Sequence, residues 1–114
     1  MLQLTAKHKI FIGINPIDFR AGIDGIAAHC KNILSQDPFS GHVFLFRSRK
    51  ANAVRLLLYD SQGFWLCTKR LSQGKFLWWP ETTEQVLQLS ISQLNNLLWN
   101  DKPPLSSTDP WCEI

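Results

Sequence analysis

The stretch HVFLFRSRKANAVRLLLYDSQGFWLCTKR, residues 42–70, decides the fold of this chain. It contains three runs rich in leucine, valine and aromatic side chains, at 42–47, 53–59 and 64–70. Such runs are typical of β-strands. The two connections, near Ser48–Asn52 and at Asp60–Gly63, are short and rich in turn-forming residues. Because consecutive strands joined by short turns pair antiparallel, the stretch predicts a three-stranded antiparallel meander.

The register of this meander follows from its second turn, across which we place Tyr59 opposite Phe64. This pairing sets Val54 opposite Lys69, and paired residues point to the same face of a sheet. One face is then formed by Phe44, Phe46, Leu57, Phe64 and Leu66. The other face is formed by Val43, Leu45, Leu56, Leu58, Trp65 and Cys67. Both faces are apolar and need a cover, and a face left bare would be a surface for a partner or a homo-oligomer.

Two elements precede the meander. Residues 9–14, KIFIGI, are β-branched and aromatic and predict a strand that ends at Asn15 and Pro16. Residues 23–34 carry an apolar stripe at helical spacing, which predicts a helix. The stripe consists of Ile23, Ile26, Ala27, Cys30, Ile33 and Leu34. Either Asp18 or Asp24 is a suitable acid for the start of this helix.

The segments after the meander are shorter. Residues 76–79, FLWW, favour a short strand or an extended piece, and residues 86–89, VLQL, fit either a strand or a helix. Ser90 with Gln93 fits a capping box, followed by leucines at helical spacing, so a second helix is predicted over about 91–99. The prediction is a single α+β domain, residues 1–100, built on a central antiparallel β-meander with two short helices.

The remaining residues, 101–114, contain three prolines and little periodicity, so we expect an extended or flexible tail. The whole chain has 114 residues, of which 45% are hydrophobic and 18% charged, as in one globular domain. No apolar run is long enough for a membrane span, and the first residues lack the pattern of a signal peptide. The three cysteines, Cys30, Cys67 and Cys112, imply no disulfide framework. We therefore expect a cytoplasmic protein without a membrane partner.

Charge is distributed unevenly along the chain, although the net charge is only +3. Residues 47–75 hold seven basic residues and one acid, Asp60. The predicted register gathers most of these cations at one end of the sheet and in the turn beyond it, which indicates a polyanion partner such as DNA. The candidate nucleic-acid-binding residues are Arg47, Arg49, Lys50, Arg55, Lys69, Arg70 and Lys75. The alternative is a set of solvated charges that protect sheet edges from aggregation.

Catalytic and metal-binding patterns are weak. The histidines and cysteines lack the spacing of zinc ligands, and no nucleophile motif or glycine-rich phosphate loop occurs. Asp18, Asp37 and Asp60 fall in apparent turns, where aspartate has a local structural role. We therefore predict no enzymatic activity, no catalytic residue, no metal and no cofactor. Phe76, Trp78 and Trp79 follow Lys75 and could stack on bases, although aromatic residues in small domains usually fill the core.

Five segments together resemble the TnpB-like accessory proteins encoded by the second reading frame of bacterial insertion sequences of the sixty-six family. They are IDFRAGIDGIA (17–27), DPFSGHVFLFRSR (37–49), LLLYDSQGFWLCTKRL (56–71), GKFLWWP (74–80) and LSISQLNNLL (89–98). The resemblance covers about residues 9–99, and Ser61 stands where glycine is common in the family. It implies a role in DNA transposition beside a separate, larger transposase, and it supplies no catalytic residues.

Three functions follow as alternatives. The first is a non-enzymatic accessory protein that binds transposon-end DNA through the basic sheet end and acts with the transposase. The second is a protein-interaction subunit that binds the transposase without touching DNA. The third is a small metal-dependent nuclease, which the turn positions of the acids disfavour.

Overall fold

A computed structural model describes residues 8–100 of the chain as five strands and two helices. In chain order they are β1 (Ile10–Gly13), α1 (Ile23–Asn32), β2 (Val43–Arg47), β3 (Ala53–Tyr59), β4 (Phe64–Arg70), β5 (Val86–Leu89) and α2 (Ile91–Leu98). The strands form one sheet in the order β4-β3-β2-β1-β5. The predicted α+β class is confirmed. The predicted tail, residues 101–114, lies outside the described residues.

The meander β2-β3-β4 has the register predicted for it. Tyr59 pairs with Phe64, and Val54 pairs with Lys69, between β3 and β4. Arg47 pairs with Val54 between β2 and β3. The two predicted sets of alternating side chains therefore lie on opposite faces of the sheet.

The first strand, β1, lies inside the sheet and pairs with its two neighbours in opposite senses. It runs parallel to β2, with Ile10 opposite Val43. It runs antiparallel to β5, with Ile10 opposite Leu89. A parallel pair needs a crossover connection, and the chain segment that contains α1 supplies it. Because β1 is enclosed by strands and by both helical layers, Ile10 and Ile12 are only 1% and 0% exposed.

Each face of the sheet carries one helix. On one face, α1 places Ile26 and Cys30 in a buried cluster with Phe44, Phe46 and Leu57. On the opposite face, α2 contributes to a second cluster, whose buried members are Ile10, Ile12, Ile14, Val43, Leu45, Val54, Leu56, Leu58, Trp79, Leu89, Leu94 and Leu97. The sheet thus separates two cores, and the apolar centre of each face is covered.

The two helices begin in different ways. Helix α2 has the predicted capping box: Ser90 Oγ accepts a hydrogen bond from the Gln93 backbone N–H at 3.1 Å, and Gln93 Oε1 accepts one from the Ser90 N–H at 2.8 Å. Helix α1 begins after Gly22 without a side-chain cap, and Asp24 lies in its first turn. Asp24 there interacts favourably with the positive end of the helix dipole.

The segment 76–79 belongs to no strand of the described sheet, so of the two predicted forms only the non-strand one is present. It lies against the α2 side of the sheet, where Trp79 is buried and its indole N–H donates to the Gly13 carbonyl at 3.0 Å. Residues 86–89, which fitted either element, form strand β5. Helix α1 is two residues shorter than predicted, because it ends at Asn32. Of the last two residues of the predicted stripe, Ile33 is 49% exposed, whereas Leu34 is buried in the cluster with Ile26 and Cys30.

The turn between β3 and β4 places Ser61 in a backbone conformation that favours glycine. The Ser61 φ angle is +80°, in the left-handed region that favours glycine. A positive φ at the first central residue is typical of a type II′ hairpin turn. Asp60 supports the turn, since its Oδ1 accepts hydrogen bonds from the N–H groups of Gln62 and Gly63 at 2.9 and 3.0 Å.

We predict that Ile26→Asp strongly destabilises the fold. Ile26 is fully buried between α1 and the sheet, so the substitution buries an unpaired carboxylate. The expected cost is several kcal/mol of the roughly 5–15 kcal/mol typical of a domain. Chemical denaturation measures it, with Ala28→Asp on the exposed side of the same helix as the matched control. Equal stability of the two variants would contradict the packing described for α1.

Candidate nucleic-acid interface

The basic residues predicted to bind nucleic acid come from strand ends and loops that meet at one end of the sheet. Arg47 and Lys69 both pair with Val54, on β2 and β4 respectively. The β2–β3 turn is joined to the 71–76 segment, because Ala51 O accepts a hydrogen bond from the Phe76 N–H at 2.8 Å. These contacts bring together the cations of the strands, of the turn and of the following loop. The cations form two groups, according to whether their charged heads contact the protein or are exposed to solvent.

The first group has its charged heads engaged by the protein, and Arg47 is one member. Its Nη2 donates to the Ile14 carbonyl at 3.4 Å, and its guanidinium lies 5.7 Å from the centre of the Trp79 ring. Arg47 Nε is buried and has no hydrogen-bond partner among the described residues. Arg47 therefore packs against the end of β1 on the α2 side of the sheet.

Arg55 lies on the opposite face, beside α1. Its Nη1 donates to the Ala21 carbonyl at 3.2 Å, and its Nε donates to Thr68 Oγ1 at 3.1 Å. The guanidinium stacks 4.6 Å from the centre of the Phe19 ring, within the range of a cation–π interaction. Arg55 thus ties the loop before α1 to strands β3 and β4.

Lys69 is the third engaged cation. Its Nζ donates to the Leu98 carbonyl at the C-terminal end of α2 and lies 4.9 Å from the centre of the Trp99 ring. A cation at this position interacts favourably with the helix dipole and satisfies one of the last carbonyl groups. Lys69 therefore fixes the end of α2 over β4.

The second group is exposed, and we call it the cationic cluster. It consists of Arg49, Lys50, Arg70 and Lys75. Arg49 and Lys50 lie in the β2–β3 turn, Arg70 is the last residue of β4, and Lys75 immediately precedes the residue bonded to that turn. Four charges from three separate segments thus converge at one end of the sheet and remain accessible to solvent.

An ion pair lies next to the cationic cluster. Ile17 forms a parallel bridge with Ser48, which brings Asp18 and Arg20 beside the β2–β3 turn. Arg20 Nη2 lies 2.7 Å from Asp18 Oδ2. The side-chain hydrogen bonds from Arg20 lower the Asp18 pKa to about 2, so the carboxylate is ionised at neutral pH and its charge is balanced by Arg20.

No local sequence pattern indicates that Arg20 lies beside the β2–β3 turn. It lies 27 residues before Arg47 in the chain. It reaches the β2–β3 turn only because the chain after β1 remains parallel to the end of β2.

The aromatic residues considered for base stacking line a pocket of about 720 Å³ on the α2 side of the sheet. Arg47, Phe76, Trp78 and Trp79 contribute to its wall. Trp79 is a core residue, since it is buried and hydrogen-bonded to Gly13. Phe76 and Trp78 are half-buried and also pack against the core, so base stacking stays a prediction for these two side chains.

The acids considered for metal-dependent chemistry have local partners. Asp37 Oδ1 accepts a hydrogen bond from the Phe39 N–H at 2.9 Å, and Asp60 Oδ2 accepts one from the Trp65 indole at 2.7 Å. Hydrogen bonds from Gln62, Trp65 and Gly63 hold the Asp60 pKa below its usual value. Within residues 8–100, no three His, Cys, Asp or Glu side chains form a group that could hold a metal ion.

Comparison with known proteins identifies a family. The family model described as IS66 Orf2 like protein matches residues 8–101. Two similar proteins of Sinorhizobium fredii, the uncharacterized proteins y4jC and y4hO, are each 32% identical over 98 residues. These alignments cover 86% of this chain and 83% and 84% of the respective relatives. No solved structure matches the chain. Across residues 8–100, no helix has the length and apolar content needed to cross a membrane.

We predict that Arg55 contributes to stability and that Arg70 does not. Arg55→Ala removes hydrogen bonds to Ala21 O and Thr68 Oγ1, so we expect a loss of about 1–2 kcal/mol in the free energy of unfolding. Arg70→Ala, a matched change at an exposed position, should alter it by less than about 0.5 kcal/mol. Urea denaturation measures both, and a neutral Arg55→Ala would show that these contacts do not stabilise the fold.

Proposed function

This chain belongs to the IS66 Orf2-like family of insertion-sequence accessory proteins, and on that premise we propose that it binds DNA through the cationic cluster and acts beside a separate transposase. The transposon ends are the DNA that such a protein would contact. In this role the chain carries out no catalytic step. It would help to position DNA and transposase relative to each other.

The observation that carries this proposal is the convergence of Arg49, Lys50, Arg70 and Lys75 at one end of the sheet. Clustered exposed cations raise the local positive potential and attract a polyanion. Lysine and arginine on phosphates release counterions from the duplex, which supplies binding free energy that is independent of sequence. These contacts would fix the position of the protein on the duplex without reading its bases.

The turn that carries two of these cations is held in place by hydrogen bonds. Ser48 Oγ accepts one from the Ala53 N–H at 3.2 Å and donates one to Asn52 Oδ1 at 3.2 Å. The Ala51 N–H also donates to the Ser48 carbonyl at 3.0 Å. A structured turn presents Arg49 and Lys50 in a defined arrangement, so little conformational entropy of the backbone is lost on binding.

A second function, docking to the transposase without DNA contact, is favoured by a separate observation. Leu77 and Trp99 are 61% and 75% exposed. They are neighbours, because the Leu77 N–H donates to the side chain of Asn100, the residue after Trp99. Exposed large apolar side chains are typical of protein-interaction sites. Copurification with the transposase, with and without transposon-end DNA, distinguishes this function from DNA binding.

The cationic cluster predicts a salt-dependent affinity for duplex DNA. Four phosphate contacts give a slope of log K against log salt concentration of about −4, and removing two of them with Arg49→Ala and Lys50→Ala should reduce its magnitude by about 2. The double variant should weaken binding to specific and random duplexes similarly, because phosphate contacts do not read sequence. Fluorescence anisotropy over a salt series measures both effects.

The matched control for this experiment is the double variant Lys9→Ala and Lys31→Ala. Both lysines are exposed and lie away from the cluster, on the chain before β1 and in α1. This control variant loses the same two positive charges. An effect of net charge alone would therefore weaken DNA binding equally in the two double variants. Two outcomes would contradict DNA binding through the cluster: an equal loss of DNA affinity in the two double variants, or no salt-sensitive DNA binding by the wild type. Either outcome would favour the transposase-docking function instead.

We also predict that the isolated protein does not cut or join DNA. Asp18, Asp37 and Asp60 are engaged in turns and in one ion pair. Incubation with transposon-end duplexes and Mg²⁺ or Mn²⁺ should therefore leave the DNA intact on a denaturing gel. Divalent-dependent cleavage that disappears in Asp18→Ala or Asp60→Ala would establish the metal-dependent nuclease instead.

A further inference from the structure

The outermost strand of the meander has an edge that no other strand within residues 8–100 covers. Strand β4 ends the sheet and spans seven residues, Phe64–Arg70, whereas the opposite edge strand β5 spans four. A long edge presents a row of backbone donors and acceptors to solvent. Trp65 and Cys67 are also exposed on this strand. An edge of this kind is suited to pairing with a further strand.

The hairpin determines which residues of β4 direct their backbone groups outward. The Asp60 N–H donates to the Gly63 carbonyl at 3.1 Å at one end, and the Leu71 N–H donates to the Asn52 carbonyl at 2.9 Å at the other. Hydrogen-bonded and non-hydrogen-bonded pairs alternate along an antiparallel ladder. The residues of β4 that bond to β3 are therefore Trp65, Cys67 and Lys69. The residues that direct their N–H and C=O groups away from β3 are Phe64, Leu66, Thr68 and Arg70.

We propose that two copies of this chain pair through β4, antiparallel about a two-fold axis at Cys67, to form one continuous ten-stranded sheet. In this register Leu66 lies opposite the partner's Thr68, and Phe64 lies opposite the partner's Arg70. Every outward-directed residue of β4 is then paired. Sliding the strands by two residues leaves one such residue of each copy unpaired, so the register centred on Cys67 makes the most backbone hydrogen bonds.

The side chains support this register. Trp65 lies opposite the partner's Lys69, and Phe64 lies opposite the partner's Arg70, so two kinds of aromatic–cation pair each occur twice. Such pairs are favourable, and like charges directly opposite each other are unfavourable. The antiparallel arrangement keeps Lys69 and Arg70 away from their own copies, whereas a parallel in-register arrangement brings identical cations side by side. This complementarity favours a second copy as the occupant of the edge.

The Trp65 side chain is restrained by a contact within its own chain. Its indole N–H donates to Asp60 Oδ2 at 2.7 Å, which restrains the ring although 40% of the residue is exposed. Lys69 is likewise restrained by the Leu98 carbonyl and the Trp99 ring. Both side chains are thus ordered before association, so a dimer that keeps these conformations loses little side-chain entropy.

Cys67 provides a direct test of the proposed register. It occupies a non-hydrogen-bonded position opposite the partner's Cys67, where Cα atoms are about 4.5 Å apart. That separation is within the range that a disulfide spans. Diamide should therefore oxidise the two thiols to one disulfide, taking up their two protons and two electrons as it is reduced to the hydrazine. Burial raises the pKa of the Cys30 thiol to about 12, so Cys30 does not compete in this reaction.

The first experiment measures mass and cross-linking on the full chain carrying Cys112→Ser. Light scattering after size exclusion should give twice the monomer mass of 13.1 kDa. Diamide should give a covalent dimer on a non-reducing gel, and Cys67→Ser should abolish it without changing the mass in solution. A monomer at every concentration, or a dimer that does not cross-link through Cys67, would overturn the proposal.

A cysteine placed one position along tests the register itself. In the Cys67→Ser chain, Thr68→Cys sets the new thiol opposite the partner's Leu66, with the partner's own Cys about 7–8 Å away on the diagonal. This distance is too long for a disulfide without movement of the backbone, so cross-linking should fall strongly. Efficient cross-linking through residue 68 would overturn the register centred on Cys67.

A charge variant tests the surface without any cysteine. Trp65→Lys places a lysine opposite the partner's Lys69 twice in the dimer, so we expect a monomer with an unchanged circular dichroism spectrum. Ile33→Lys is the matched control, since Ile33 is 49% exposed at the C-terminal cap of α1 and is not part of β4. It should remain dimeric. A wild type that is monomeric alone, with Trp65→Lys losing only its binding to the transposase, would assign the edge to the transposase and overturn self-pairing.

Discussion

The parallel pairing of β1 with β2 is the contact on which the rest of this structure depends. It encloses β1 between β2 and β5, and the connection it requires carries α1 across one face of the sheet. It also extends to the bridge between Ile17 and Ser48, which brings Arg20 to the β2–β3 turn. The same central strand supplies the Gly13 carbonyl that fixes Trp79. Both cores and the surroundings of the cationic cluster therefore rest on this pairing.

The structure separates cations whose charged heads contact the protein from cations whose heads are exposed to solvent. Arg47, Arg55 and Lys69 each donate to a backbone carbonyl at or just beyond the end of a regular element and lie near an aromatic ring. Satisfying such a carbonyl with a cation avoids the cost of an unpaired polar group. Arg49 and Lys50 are carried by a turn that extends beyond the sheet, and their charges stay in solvent. The contacts that the fold offers to each charged head thus separate the two groups.

The proposed pairing of two β4 strands would relate two cationic clusters by a two-fold axis. Arg70 belongs both to the cluster and to the edge, so the clusters would lie at opposite ends of the joined strands. A two-fold arrangement of two phosphate-binding surfaces is the symmetry expected of a protein that contacts two DNA segments or two turns of one duplex. The edge and the cluster would then be parts of one assembly.

The sequence by itself determined the meander, both helices and the sheet end at which the cations gather. These features depend on local periodicity, on short turns and on the capping box of Ser90 and Gln93, all of which lie within a few neighbouring residues. Only the tertiary structure decided the place of β1, the path of residues 76–79 and the separation of Arg55 from Arg70. Each of these depends on contacts between segments far apart in the chain, such as that of Arg55 with the Ala21 carbonyl. Local patterns carry no information about such contacts, because the free energy that selects them comes from packing and hydrogen bonding in the complete fold.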